Sequence, residues 1–127
     1  MCNNVSNKRR LPVLFFSAWL VLITSITSGS AADISFNRDI RPILTNHCYQ
    51  CHGPDEQHRE ANLRLDDAAS ALAPRDGSPA IVPGQPKRSE LISRITSPDH
   101  DLVMPPRELK KDLTPEQIAT LVQWIQD

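Results

Sequence analysis

No second Cys-x-x-Cys, phosphate-cradling glycine loop, nucleophile motif or convincing carboxylate pair occurs in the 127 residues. Those gaps remove the usual footing for a self-contained cysteine zinc site, a nucleotide enzyme or a hydrolase. The alternating strand and helix pattern that a thioredoxin-like dithiol needs is also missing. The apolar run Leu11 to Ile23 is 13 residues long, short of the ~20 that span a bilayer comfortably. Charge is nearly balanced, at −1 overall, so nothing favours nucleic acid as a partner. Aromatic residues make up only 5% of the chain, so large rings can fill little of a core. The length suits one small domain, and a small domain struggles to bury enough apolar surface unaided. There is no internal repeat and no low-complexity tract.

What the chain does contain is Cys48-Tyr49-Gln50-Cys51-His52. Two thiols three positions apart, followed at once by an imidazole, form the attachment sequence for a c-type haem. Both sulfurs can add to the vinyl groups of the porphyrin and form thioethers. His52 is then held beneath the iron. A covalently bound macrocycle would supply the apolar bulk that the composition lacks. Two other readings stay open on these residues. A zinc site would have to recruit His58 or His100, and a redox dithiol would need a different scaffold.

The N-terminus fits an export leader. Lys8, Arg9 and Arg10 precede the apolar run, and Ser30-Ala31-Ala32 offers small residues for cleavage before Asp33. Residues 1–32 are therefore expected to be a signal peptide and residues 33–127 the mature domain, exported to the periplasm or beyond. Cys2 stands before the apolar run, which is the wrong place for a lipoprotein cysteine. An uncleaved N-terminal anchor is the alternative, and the only membrane contact expected. Without the leader, 11 Lys and Arg face 15 Asp and Glu, a net charge of −4. Export also supports haem attachment, since close thiols outside the cytoplasm otherwise tend to oxidise.

In the mature part, Phe36, Ile40, Ile43 and Leu44 recur at helical spacing. Asn37 is the expected N-cap, and Pro42 argues against an earlier start. This helix should run into Cys48 and end at Gly53-Pro54. Residues 55–62 read as a polar loop. Leu63 and Leu65 are candidates for the cofactor wall. Arg64 could meet a haem propionate or simply stay solvated. Asp66 could cap a short helix through Ala73. Ile81 to Gly84 reads as core lining rather than strand. Pro86 to Thr96 reads as one helix with Leu91, Ile92 and Ile95 on one face. Thr114-Pro115-Glu116-Gln117 is a capping-box start for a last helix, which should pack across the Phe36 to Leu44 helix.

Met104, in Val103-Met104-Pro105-Pro106, is the one thioether beyond the leader. The prolines place it on a stiffened loop. A thioether binds iron weakly, so a pre-ordered loop suits it as sixth ligand. A gap-filling Met in a small core is the alternative. His47, His58 and His100 are rivals for that position. His47 shares the turn of Cys48, His58 lies near the proximal side, and His100 is the best placed of the three.

The stretches Phe36-Asn37-Arg38-Asp39-Ile40-Arg41-Pro42-Ile43-Leu44, Cys48 to Pro54, Leu63 to Asp66, Ile81 to Gly84, Ser89-Glu90-Leu91 and Met104-Pro105-Pro106 together resemble the planctomycete-type cytochrome c domain. The similarity spans residues 33 to 127. It implies an all-α fold of the class I cytochrome c kind, with about four short helices wrapped around one covalently bound haem c. It also implies Cys48 and Cys51 as attachment points and His52 and Met104 as axial ligands. In that family the domain usually stands at the front of larger exported proteins.

The reading that follows is one-electron transfer to a redox partner protein or a downstream domain, not catalysis. Tyr49, Gln50 and the Met104 loop are the expected rim of the site. A haem enzyme or sensor with a displaceable sixth ligand is the rival, as is the N-terminal haem module of a larger exported protein. Denaturing mass spectrometry of the exported chain should show one haem that survives unfolding. A chain of unmodified mass, with both thiols open to alkylation, would end this reading.

Overall fold

Pro42 decides how the first helix begins. It has no N–H, and its ring crowds the carbonyl four residues back. The chain answers with a wide turn, Phe36–Ile40, in which the Arg41 N–H reaches back five residues to the Phe36 carbonyl. Helix α1, Arg41–His47, then carries Pro42 in its first turn, where a missing donor costs nothing. The structure is a computed structural model and describes residues 33–127. The leader expected over residues 1–32, with its cations, apolar run, Cys2 and cleavage site, lies outside the described residues.

The start differs from the one expected at Asn37. Asn37 is exposed within the wide turn. The Ser35 N–H instead donates to the Asp39 carboxylate at 2.8 Å. Arg38 grips the same carboxylate. These bonds hold the Asp39 carboxyl below the usual carboxylate range.

The expected single helix through the cysteine turn is broken at Cys48, whose φ of −123° departs from helical values. Helix α2, Tyr49–His52, resumes at once and stops at Gly53. Helix α3, Ala68–Leu72, is capped by Asp67, whose carboxylate accepts from the Ser70 N–H at 3.1 Å. The cap expected at Asp66 is one residue off because Arg64 captures that side chain.

The single helix expected over Pro86 to Thr96 is also two pieces. A 3-10 turn, Pro86–Arg88, precedes α4, Glu90–Ile95, with Ser89 extended between them. Ser89 is 1% exposed. Its hydroxyl accepts from the Val82 N–H at 2.9 Å and donates to the Gln85 carbonyl at 3.1 Å. A buried hydroxyl must find partners, and here it finds them by interrupting the helix. A second 3-10 turn, Arg107–Leu109, precedes the last helix.

Helix α5, Pro115–Gln126, starts as its sequence dictates. The Thr114 hydroxyl accepts from the Gln117 N–H, and the Gln117 side chain accepts from the Thr114 N–H at 2.8 Å. It packs against the Phe36–Ile40 turn. The Phe36 and Trp124 rings sit 5.7 Å apart at this junction. Five α-helical segments and no strand occur among the described residues, so the fold is all-α.

The core joins Ile40, Ile43 and Leu44 to Leu91 and Ile95 and to Leu121 and Ile125. Ile81 joins it too, as core lining. Gly84 then turns at a φ of +71°, which glycine adopts without penalty. Its N–H bonds the Ile125 carbonyl at 2.7 Å and ties this segment to the end of α5. Among the described residues the buried core is aliphatic or cysteine, with no aromatic ring. Leu121 is 0% exposed at the centre, so Leu121→Ala should cost about 2–5 kcal/mol. Chemical denaturation of the purified protein checks this; a loss under ~1 kcal/mol would show that the centre lies elsewhere.

Candidate cofactor site

The break at Cys48 shapes the site. The Cys48 N–H still bonds back to the Leu44 carbonyl at 2.8 Å. The Cys48 carbonyl accepts from Cys51 at 3.1 Å and from His52 at 2.8 Å. One residue thus closes α1 and opens α2. The two cysteines and His52, at i, i+3 and i+4, share one face of this turn and line one cavity of about 1240 Å³. That is larger than the ~300–1,000 Å³ of a drug-sized ligand site. Met104 reaches the same cavity from the loop after α4. Apolar walls come from Leu63, Leu65, Leu91, Ile95 and Pro105, so both leucines expected there are present.

Gly53 lets the chain leave this turn. A Cβ at residue 53 would collide with the Tyr49 carbonyl oxygen and lie 3.0 Å from its carbon. The turn after His52 therefore closes tighter than any side chain allows. The chain then folds back beneath it. Glu60 N–H donates to the Cys51 carbonyl at 2.7 Å, and Leu65 N–H to the His52 carbonyl at 2.8 Å. Ala61 and Asn62, with φ of +50° and +47°, reverse the direction. Left-handed backbone is unfavourable for Ala. An Arg75 Nη2 bond to the Ala61 carbonyl helps hold it.

Electrostatics suit the bound chemistry. Burial pushes the Cys48 thiol up to about 11. Burial also lowers the pKa of His52, partly offset by the nearby Glu60 backbone. The imidazole is therefore held in the neutral form that ligates metals. The Glu60 carbonyl, though near, does not make a hydrogen bond to it. His52 Nδ1 is buried and has no partner. Such an orphan costs about 1–3 kcal/mol unless a group from outside the chain reorganises the site. An unpartnered imidazole, two thiols and a thioether around one apolar cavity fit a covalent haem. They fit zinc poorly: among the described residues no three His, Cys, Asp or Glu side chains converge on a point.

The rivals of Met104 are exposed or engaged with other groups. His58 is exposed and bonded to Asp55 at 2.8 Å. His100 is exposed beside Asp101 and Glu108 and does not line the cavity. His47 lines it, but its Nδ1 bonds the Lys111 carbonyl at 2.8 Å and its Nε2 lies 3.4 Å from Gln117.

Of the two readings left open for Arg64, the solvated one fits: it is outside the cavity lining and pairs with Asp66 at 2.6 Å, a carboxylate only two residues away. One expectation about the rim is corrected. Tyr49 packs against the core instead of lining the cavity. Gln50 does line it, held by Lys111 at 2.9 Å. Sequence reading missed the cavity arginines, Arg75 and Arg94. Arg94 carried a signal, since Glu90 stands four residues before it on the helix. Nothing local marks Arg75.

Among the described residues all regular structure is helical, and the Cys-x-x-Cys-His turn lines one large cavity, which is the arrangement of the small helical c-type cytochromes. Residues 48–108 match the family model described as Planctomycete cytochrome C, and this stretch belongs to that family. No curated protein and no solved structure matches the chain.

Gly53→Ala should destabilise the domain by about 1–3 kcal/mol through the clash with Tyr49. Thermal unfolding of the haem-loaded protein would measure it. An unchanged melting temperature would mean that the turn after His52 has room to spare.

Proposed function

We propose that the chain is an exported electron carrier or electron-transfer module with one covalent haem c. The observation that carries this reading is the meeting of Cys48, Cys51, His52 and Met104 on one cavity. Haem c bound there supplies a reversible ferric–ferrous couple. The residues of the chain do the rest. Cys48 and Cys51 retain the group through thioether bonds. His52 offers a neutral ring nitrogen, kept neutral by burial. Met104 lines the same cavity and would hold the iron together with His52. Two protein ligands would leave no open place for a substrate, which favours electron transfer over catalysis. Leu65, Leu91 and Ile95 exclude water and keep the pocket weakly polar.

Electrons would pass at the exposed rim, where Gln50, Glu108 and Leu109 border the cavity. A redox partner protein would dock there weakly, as such encounters do; a downstream domain of the same polypeptide is the other candidate. Residues 1–32 as a cleaved signal peptide complete the reading and place the domain in the periplasm or beyond. Among the described residues no helix is long and apolar enough to cross a membrane.

Met104→Ala tests the ligand set. The variant should keep its haem but bind carbon monoxide rapidly in the ferrous form and lose the weak ferric thioether–iron band. Wild-type protein should show that band and resist carbon monoxide. Wild type that binds the gas freely would favour a haem sensor or enzyme instead.

A further inference from the structure

Met104 lies on a loop that is tied to α4 by a single residue. Leu102 and Val103 close their own turn on the Asp99 carbonyl, at 3.2 and 2.9 Å. Hydrogen bonds from residues 102–104 to α4 both end on Arg94. Its carbonyl accepts from the Met104 N–H at 3.1 Å. Its Nη1 donates to the Leu102 carbonyl at 3.4 Å. The guanidinium is itself held from behind, with Nε donating to Glu90 at 2.7 Å, one helical turn earlier. Glu90 in turn is fixed by its own N–H to the Pro79 carbonyl at 3.1 Å. Glu90, Arg94 and Met104 all line the cavity.

As a stabilising ion pair this arrangement is worth little. Both side chains are about two-fifths exposed, at 39% and 41%, and such pairs contribute roughly 0–1 kcal/mol. Geometry is what it supplies. A planar guanidinium can bond a carboxylate on one edge and a carbonyl on the other, and here it spans from the helix to the loop. A thioether is a weak, neutral ligand. It competes for a metal only if the loop presenting it is already ordered.

We infer that Arg94 is a positioning residue for Met104: braced by Glu90, its side chain holds the 102–104 loop so that the sulfur stays within reach of the iron. This rests on the ligand set proposed above. The backbone bond from Met104 survives any substitution at position 94, so a side-chain variant removes only the brace.

The test is displacement of the sixth ligand by imidazole, titrated into the ferric, haem-loaded protein and followed in the visible spectrum. Arg94→Gln should bind imidazole about tenfold more tightly than wild type, the factor expected from losing a hydrogen bond of ~1.4 kcal/mol. Arg94→Lys keeps the cation but not the two-edged fork, and should lie between the two. Arg64→Gln, which loses a similar arginine–carboxylate pair outside the cavity, should match wild type. A merely structural arginine would lower the melting temperature and leave imidazole affinity alone.

Arg94→Gln within about twofold of wild type overturns the inference. Should that variant fail to fold, Arg94→Lys decides on the same criterion. Wild type that lacks the thioether–iron band sinks the ligand set, and the brace with it. Wild type that has the band, with insensitive variants, sinks the brace alone.

Discussion

Cys48 is a buried residue with two structural duties, and the rest of the domain is arranged around both. Its N–H ends one helix and its carbonyl starts the next. Cys48, Cys51 and His52, spaced i, i+3 and i+4, share one face of this turn and line a single cavity. Gly53 then allows the chain to leave immediately, and the Glu60 to Leu65 return passes under the imidazole through main-chain bonds to Cys51 and His52.

This organisation explains the composition. A core of aliphatic residues and no rings is thin for a domain of this size. The cavity has apolar walls from Leu63, Leu65, Leu91 and Ile95 and charged ones from Arg75, Glu90, Arg94 and Glu108. Close packing is the normal state of a protein interior. The buried Nδ1 of His52 has no partner among the described residues.

Long-range order is carried by a few polar braces. Arg75 reaches the Ala61 carbonyl on the His52 side of the cavity. Arg94 reaches the Leu102 carbonyl on the Met104 side. Ser89, almost fully buried, ties the 82–85 segment to the start of α4. His47 fixes the 110–113 segment through the Lys111 carbonyl. Each brace joins a helix or loop to a loop that has no regular structure of its own. Loops need such ties because their backbone groups have no ladder to satisfy them.

The attachment turn, the capping box of the last helix, the apolar stripes and the loop character of Met104 could all be read from residue order. Each depends on neighbours within one or two helical turns, and local chemistry settles it. Where helices break was not legible in the same way. Cys48 ends one helix and opens the next through its own main chain, Ser89 interrupts a helical pattern to bond residues 82 and 85, and Asp67 caps α3 because Arg64 claims Asp66. The identity of the cavity arginines was likewise hidden. Arg64 looked suitable and pairs locally, whereas Arg75 and Arg94 reach the cavity only once loops distant in sequence are folded beside them. By itself the residue order determined helical segments and a haem-attachment motif. Only the tertiary structure decided which side chains line the cavity, because a side chain's partners are chosen by proximity in space, and proximity between distant segments exists only after folding.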